Sequence, residues 1–512
     1  MSEVSLIAVL ATPPSSNGAE LTALPDSVGW LEVRADLIGA LDPEWLRNYF
    51  KGRLLYSLRS QGEGGNCSDS QAQRDDRLKA AARHYDRVEL EGRDLSRALL
   101  AEIPVEQRCV SWHGPAGDLE QLKARFSQLC SVPAATYKVS TWASKMSDEF
   151  TCLALLKSLG RPDTIAYSTG PLGFWSRLVA LHLGAPGIFG LVPNGPIVPT
   201  EPTITKLIDD YGLPALPRAR EIFAIIGNPI FHSLSPRLHN AAYRAKNYPG
   251  LFLPFQVESF DEFWIEVVRS RAFDSLGLPF NGMTVASPHK ESALLITRVA
   301  STMARQAESA NILIRSNGSW NADTTDPDVV YMASRERNMQ VTSRRAAVIG
   351  CGGAGRAIAA ALMQSGADVT LINRGVERGH YAAEVLGLPY IPLANFSADG
   401  YDIVVNATPV GRDSDEVPFR IESLNGEAVV IDLVYGARPT PLVANTLARE
   451  QIAIDGHDVL LTQVVRQFRM MTGQEMPVTI ALDALGRPAS SGVNPERPLT
   501  QQTAPVARTD VN

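Results

Sequence analysis

Residues Ile225–Asn240 read Ile-Ile-Gly-Asn-Pro-Ile-Phe-His-Ser-Leu-Ser-Pro-Arg-Leu-His-Asn. The apolar run Ile222–Ile226 predicts a strand, and Gly227, Asn228 and Pro229 end it. Ser235 followed by Pro236 is the pairing of N-cap and first helical residue that opens a helix. Taken alone, this is a capped turn. With the hydroxyls of Ser233 and Ser235 beside it, it is also a site for an anion, because the free backbone N–H groups and the dipole of a helix N-terminus both favour negative charge. The unit lies near the middle of the chain, with a long and differently patterned stretch before it.

Working outward, 512 residues suit about three domains at roughly 150 residues each. A hydrophobic content of 45% is ample for large cores. The net charge of −7 argues against a nucleic-acid footprint. Five scattered cysteines show no metal-ligand spacing, which points to a reducing, cytoplasmic setting with neither a disulfide framework nor a metal site. The apolar run Leu6–Ala11 has no basic flank and is too short to span a membrane or serve as a signal peptide. The stretch 487–512, rich in Pro, Ser, Thr and Gln, reads as a disordered tail.

Ahead of residue 215, short apolar runs alternate with helical patterns: Leu6–Leu10, Trp30–Val33, Leu54–Leu58, Arg87–Leu90, Arg108–Ser111, Thr136–Val139, Thr164–Tyr167 and Gly187–Leu191. Eight strand–helix units predict a (β/α)8 barrel, whose C-terminal rim carries the chemistry. Polar residues fall at those strand ends: Glu32 and Arg34, Arg59, Glu89 and Glu91, His113, Lys138 and Ser168. Glu63 follows Arg59 in a flexible Gly-rich loop, and Arg177 follows Ser168.

These residues carry a resemblance. Glu32–Asp36 (Glu-Val-Arg-Ala-Asp), Ser57–Gly65, Ser111–His113, Lys138 and Ser168–Arg177 are similar to the motifs of type I 3-dehydroquinate dehydratases. The resemblance implies that Lys138 forms a Schiff base with a ring ketone, that His113 moves protons, and that Glu63 orients it. It also implies that Glu32, Arg34, Arg59 and Arg177 meet the substrate. The chemistry suits these residue types. An iminium acidifies the adjacent C–H bond, a histidine serves as both base and acid, and arginine forks grip carboxylates. Lysine attacks as the neutral amine, which burial and nearby arginines favour. Three positions depart from the family: Ile197 replaces a serine, Glu201 a glutamine, and Arg87 an aspartate. Glu201 places a negative charge near an anionic substrate, which is unfavourable unless something pairs with it.

Beyond a short polar connector at Pro214–Arg220, the quoted turn is followed by an extended run, Leu251–Val257, and an amphipathic helix, Phe260–Arg269. A strand at Gly282–Ala286 precedes Ser287 as cap and Pro288 as helix start, with Lys290 in the first turn. Arg345–Gly355 is the best local motif. The strand Ala346–Ile349 runs into Gly350-Cys-Gly352-Gly353-Ala354-Gly355 and an alanine-rich helix, the context of a dinucleotide fold. The next strand, Asp368–Ile372, ends in Asn373 and Arg374, with Arg378 nearby and no acid for a ribose hydroxyl. Arginines there favour a 2′-phosphate, hence NADP over NAD. Strands at Ile403–Asn406 and Ala428–Asp432 follow.

This half resembles the shikimate dehydrogenases through the Ser233/Ser235 turn, Thr284–Lys290, Ala310–Leu313, Ala322–Asp326, Asn406–Gly411, Asp432–Tyr435 and Asp455–Gln463. The resemblance implies Lys290 and Asp326 as the catalytic pair. It implies Ser233, Ser235, Thr284, Asn311, Tyr435 and Gln463 as substrate ligands, and Gly350, Gly352, Gly353, Ala354, Gly355, Asn373, Arg374, Arg378, Thr408, Leu433 and Gly456 as the cofactor site. Thr284 replaces an Asn or Ser, and Ala286 a substrate-binding Thr.

The expected architecture is α/β throughout: a barrel over 1–215, a substrate domain over 218–338 completed by helices at about 456–486, and a Rossmann NADP domain over 339–455. The two resemblances together imply dehydration of 3-dehydroquinate to 3-dehydroshikimate followed by NADPH-dependent reduction to shikimate. Small molecules are the partners, with no nucleic acid and no membrane. Two other readings stand beside this one: a quinate preference arising from Thr284 and Ala286, and a barrel that is a catalytically weak or binding-only module given Ile197 and Glu201.

Overall fold

The computed structural model describes residues 4–93, 95–195, 198 and 200–487; Ile197 and the tail after Arg487 lie outside them. The chain divides into two compact units, residues 1–325 with 470–472, and residues 326–469 with the remainder.

In the first unit, eight parallel strands form one sheet: β1 Ser5–Leu10, β2 Val28–Arg34, β3 Arg53–Ser57, β4 Arg87–Glu91, β5 Arg108–Pro115, β6 Thr136–Trp142, β7 Thr164–Thr169 and β8 Gly187–Leu191. The order is β7-β6-β5-β4-β3-β2-β1-β8, so β1 pairs β8 and the sheet curls into a near-closed barrel, with no β7–β8 ladder among the described residues. Alternation along each strand sorts the side chains. Leu6, Ala8 and Leu10 join the outer core, while Ile7, Val9, Leu55, Cys109, Ile165, Tyr167 and Phe189 form a second, separate cluster within the barrel. Lys138 stands over the Phe189 ring at 4.2 Å, on that inner floor.

The connector Pro214–Arg220 is mostly exposed or half-buried, and its one buried residue, Ala219, donates its N–H to His182 Nδ1. The outer core of the barrel continues without a break into the second sheet. That sheet holds β9 Glu221–Gly227, β10 Gly250–Gln256, β11 Phe280–Val285, β12 Val299–Ala300, β13 Ile312–Ser316 and β14 Ser319–Asp323, in the order β10-β9-β11-β13-β14-β12. Strands β13 and β14 form an antiparallel hairpin closed by Asn317 and Gly318, both at positive φ, as a tight two-residue turn requires.

At the junction, Trp175 of the barrel packs against Phe255 and Phe273 with ring centroids 4.9 and 5.5 Å away, and against Phe150 at 5.2 Å. Lys157 donates to the Ser275 carbonyl at 2.7 Å, and Arg237 Nε bonds Asp210 at 2.7 Å. Barrel and second sheet thus share one hydrophobic core.

Two helix starts differ from expectation by a residue or more. The helix Ser235–Lys246 has Leu234 as its cap residue, and Ser235 is already helical because its N–H turns back onto Ser233 Oγ. The other helix begins at Lys290 with His289 as cap, Ser287 and Pro288 forming the turn before it. The predicted helix Phe260–Arg269 starts as an α-helix and continues as a π-helix over Trp264–Arg269.

The second unit contains β15 Arg345–Ile349, β16 Asp368–Asn373, β17 Tyr390–Pro392, β18 Ile403–Asn406, β19 Val429–Asp432 and β20 Ala453–Ile454. All neighbours are parallel and the order is β17-β16-β15-β18-β19-β20. This is the doubly wound dinucleotide-binding topology, with its crevice where the strand order reverses, between β15 and β18.

Candidate active sites

At the barrel's C-terminal rim, four side chains from four segments form a chain of contacts. Lys138 Nζ donates to Glu89 Oε1 at 3.2 Å. His113 Nε2 lies 3.5 Å from that same oxygen, and His113 Nδ1 lies 3.0 Å from Glu63 Oε2. Glu32 Oε1 is 3.8 Å from Lys138 Nζ and accepts a hydrogen bond from Ser57. All of these groups are buried. Sequence reasoning noted Glu89 only as a strand-end acid and gave it no role. The available signal was the two-residue alternation that turns Glu89 on β4 and Lys138 on β6, the strands either side of β5, to one inner face.

Glu63 was expected in a flexible loop. Instead it ends a 3-10 turn, Gln61–Glu63, pinned by Gly65 N–H to the Ser60 carbonyl and Cys67 N–H to the Arg59 carbonyl. Its carboxylate also accepts from the His113 backbone N–H at 2.9 Å, so it holds the histidine by ring and backbone together.

Charge states follow from this packing. Burial opposes a charged Lys138, but the carboxylates of Glu89 and Glu32 outweigh it and push the ammonium above the ordinary lysine range. The expectation that burial and arginines favour the neutral amine is therefore reversed in the resting site. Burial likewise opposes a charged Glu89, but the Lys138 ammonium and the Arg59 guanidinium hold it well below the usual carboxylate range. His113 is held neutral by burial and by the nearby Arg59 cation. Glu63 is pushed up to about 8 by burial and by Glu91.

The arginines are partly engaged within the protein. Arg34 forks onto Asp36 at 2.9 and 2.8 Å, and Arg59 approaches Glu89 at 3.9 Å. Arg177 lies over the Tyr167 ring and 3.8 Å from Glu201, which supplies the pairing that the unusual acid required. Arg87 belongs elsewhere: it stacks on Trp30 at the start of β4 and bonds Thr136 Oγ1.

Beside the second sheet, Ser233 and Ser235 are buried together at the start of the helix Ser235–Lys246. Thr284 Oγ1 donates to the Ala224 carbonyl at 3.4 Å. Asn311 is fixed by Thr325, whose N–H it accepts at 2.8 Å and whose hydroxyl it reaches at 3.0 Å. Ala286 abuts Gly227, where an added Cβ would lie 2.9 Å from the alanine's own. Lys290 opens its helix in this unit, whereas Asp326 is the first residue of the other unit, where Gln463 Nε2 donates to it at 2.9 Å.

In the second unit, Gly350 has φ +106, and a Cβ on Gly355 would lie 1.8 Å from the Gly350 carbonyl, so the turn tolerates no side chain there. Gly352 starts the helix Gly353–Gln364 with no side-chain cap, leaving its first N–H groups, including that of Ala354, for an anion. Asn373 Oδ1 accepts from the Cys351 N–H at 3.1 Å and ties β16 to this loop. Arg374 and Arg378 are exposed beside it, and Arg378 Nε reaches the Cys351 carbonyl at 3.4 Å. The donor set fits a pyrophosphate on the helix and a 2′-phosphate on the arginines. Thr408 is bonded to Asn406 Oδ1, and the Leu433 N–H to the Asn406 carbonyl, while Asn406 is held by Asp432. The Tyr435 ring lies 5.6 Å from the His457 ring at a tilt of 40°, and Gly456 lies so close to Val434 that a Cβ would meet its carbonyl at 2.3 Å.

Comparison with known proteins gives these sites a family. Residues 7–214 match type I 3-dehydroquinase, and residues 225–313 match the shikimate dehydrogenase substrate binding domain. A bifunctional 3-dehydroquinate dehydratase/shikimate dehydrogenase of Arabidopsis thaliana, a chloroplastic protein, is 27% identical over 87% of this chain and 78% of its own. A shikimate dehydrogenase (NADP(+)) of Methanothrix thermoacetophila is 34% identical over 54% of this chain and 99% of its own. The solved dehydroquinate dehydratase and shikimate dehydrogenase of S. pombe aligns at 19% identity and TM-score 0.42, over 95% of this chain and 98% of that one. The chain belongs to the shikimate dehydrogenase family and carries a type I 3-dehydroquinase domain fused ahead of it.

Proposed function

We propose that the barrel dehydrates 3-dehydroquinate to 3-dehydroshikimate through an imine on Lys138, and that the second half reduces the product to shikimate with NADPH. The observation that carries the first step is the contact chain Lys138–Glu89–His113–Glu63 at 3.2, 3.5 and 3.0 Å. It favours catalysis over a binding-only module.

Lys138 rests as an ammonium, so attack on the ketone requires loss of a proton. Glu89 Oε1 is the adjacent acceptor and also faces His113 Nε2, so the proton has a direct route between lysine and histidine. The free amine adds to the ketone carbon, and water leaves to give the iminium. His113 then takes a proton from the carbon next to the iminium carbon and returns one to the departing hydroxyl. Hydrolysis releases the enone and regenerates Lys138.

In the second half, we assign Ser233 and Ser235 to the substrate carboxylate and Thr284, Asn311, Tyr435 and Gln463 as further substrate ligands. Lys290 and Asp326 serve the proton of the ring hydroxyl, Asp326 being oriented by Gln463. The loop Gly350–Gly355, with Asn373, Arg374, Arg378, Thr408, Leu433 and Gly456, would hold NADPH, which supplies the hydride when bound. Five free cysteines suit a reducing compartment such as the cytoplasm, and no helix among the described residues is long and apolar enough to cross a membrane.

Incubation of the protein with dehydroquinate and NADPH tests the whole reading: shikimate is expected, with NADPH consumed. Borohydride added with dehydroquinate alone is expected to leave one adduct on the Lys138 peptide. Product formation with no adduct would remove the imine step. Turnover of quinate exceeding that of shikimate would move the second site to quinate.

A further inference from the structure

Away from both sites, the flank of the second sheet contains a cavity of about 230 Å³. Its apolar walls are Trp264, Trp320 and Phe280, with Trp320 edge-on to Trp264 at 5.6 Å and 5.8 Å from Phe280 between ring centroids. Its polar wall holds three arginines, Arg269, Arg271 and Arg315, against one carboxylate, Asp274. Three positive charges and one negative leave a surplus of two among these four residues.

The polar wall is assembled by unusual backbone. Arg269 ends the π-helix Trp264–Arg269, a distortion that recurs at functional sites. Arg271 has φ +55, a left-handed conformation costly for a residue with a side chain, and its Nε bonds Asp274. Arg315 touches the same carboxylate through Nη1 at 3.4 Å. Asp274 thus draws two guanidinium groups to one edge of an aromatic slot. A cavity of about 150 Å³ accepts benzene, so this one has room for a single ring and a short charged arm.

We propose that this cavity binds a small carboxylic acid bearing one planar ring, the ring against Trp264 and Trp320 and the carboxylate on Arg315 and its neighbouring arginines. Forked charge-assisted hydrogen bonds select the carboxylate, and the tryptophans select the ring.

The test is a titration of the full chain with 3-phenylpropanoate, followed by calorimetry and by tryptophan fluorescence, in the presence of saturating shikimate. One site per chain is expected. Arg315→Gln and, separately, Arg269→Gln should each weaken binding about tenfold, the loss of one charge-assisted hydrogen bond, while KM for dehydroquinate and shikimate stays unchanged. The neutral 3-phenylpropanamide and inorganic phosphate should both bind far more weakly. Equal binding of the amide or of phosphate overturns the proposal. So does displacement of the probe by dehydroquinate, or affinity unchanged in both arginine variants. Should Arg315→Gln lower the melting temperature, the exposed Arg269→Gln variant decides the matter alone.

Discussion

Glu201→Gln removes one charge from the mouth of the barrel and leaves its shape nearly unchanged. In the structure Glu201 lies 3.8 Å from Arg177 Nη2, with side-chain exposures of 41% and 7%. Two unit charges at that distance attract by about 1 kcal/mol at the dielectric of water and about 4 kcal/mol at an effective value near 20. Glu201 is more than a third exposed, so the lower figure applies after screening. A substrate carboxylate arriving at Arg177 must compete with this pair and also meets the repulsion of Glu201 itself. Removing the charge should therefore strengthen dehydroquinate binding by about 1 kcal/mol, or roughly fivefold in KM. Because Glu201 is not part of the Lys138–Glu89–His113 chain, kcat should hold. The assay is initial-rate appearance of the conjugated enone product by ultraviolet absorbance, at low and at high salt, where the difference between variants should shrink. A KM that stays the same or rises in Glu201→Gln, or a gain independent of salt, would refute the electrostatic reasoning and give Glu201 a direct role in holding the substrate.

Arg374→Ala should raise KM for NADP by about tenfold or more while leaving NAD turnover nearly unchanged, since a guanidinium–phosphate contact is lost only for the former; equal losses with both cofactors would remove Arg374 from the 2′-phosphate site. Trp175→Ala empties a fully buried position contacting Phe150, Phe255 and Phe273 and should cost about 3–5 kcal/mol in chemical denaturation, with both activities lost together because the core is shared. Glu149 is buried, and burial pushes it up to about 8 against the opposing pull of Ser176 and Arg177. A carboxyl raised on folding favours the folded state while protonated, so stability should fall as pH rises toward and through 8, and Glu149→Gln should flatten that fall in a melting-temperature series. Phe231→Ala, which vacates the ring packed on Phe174 and against Gly173, should disturb the loop leading to Arg177 and raise the dehydratase KM, although Phe231 lies in the dehydrogenase half.

Much of the architecture was legible in local pattern. Each barrel strand is an apolar run with a polar residue at its C-terminal end, so the runs from Leu6 to Leu191 predicted eight units, and the strands formed within a few residues of those bounds. Gly350–Gly355 was equally readable, because a turn that admits no Cβ leaves its mark as glycine. The hairpin β13–β14 escaped notice, although Asn317-Gly318 announces it.

What the chain order could not reveal are contacts made between distant segments. Glu89 Oε1 sits between Lys138 and His113 only because β4, β5 and β6 lie side by side, and that juxtaposition reverses the expected charge state of the lysine. The pairing of Glu201 with Arg177, and the continuous core that joins the barrel to the second sheet through Trp175, are of the same kind. Strand period, glycine turns and helix starts are short-range properties written in neighbouring residues. Electrostatic environment and shared burial depend on which segments the fold brings to within a few ångströms, and for these only the tertiary structure decides.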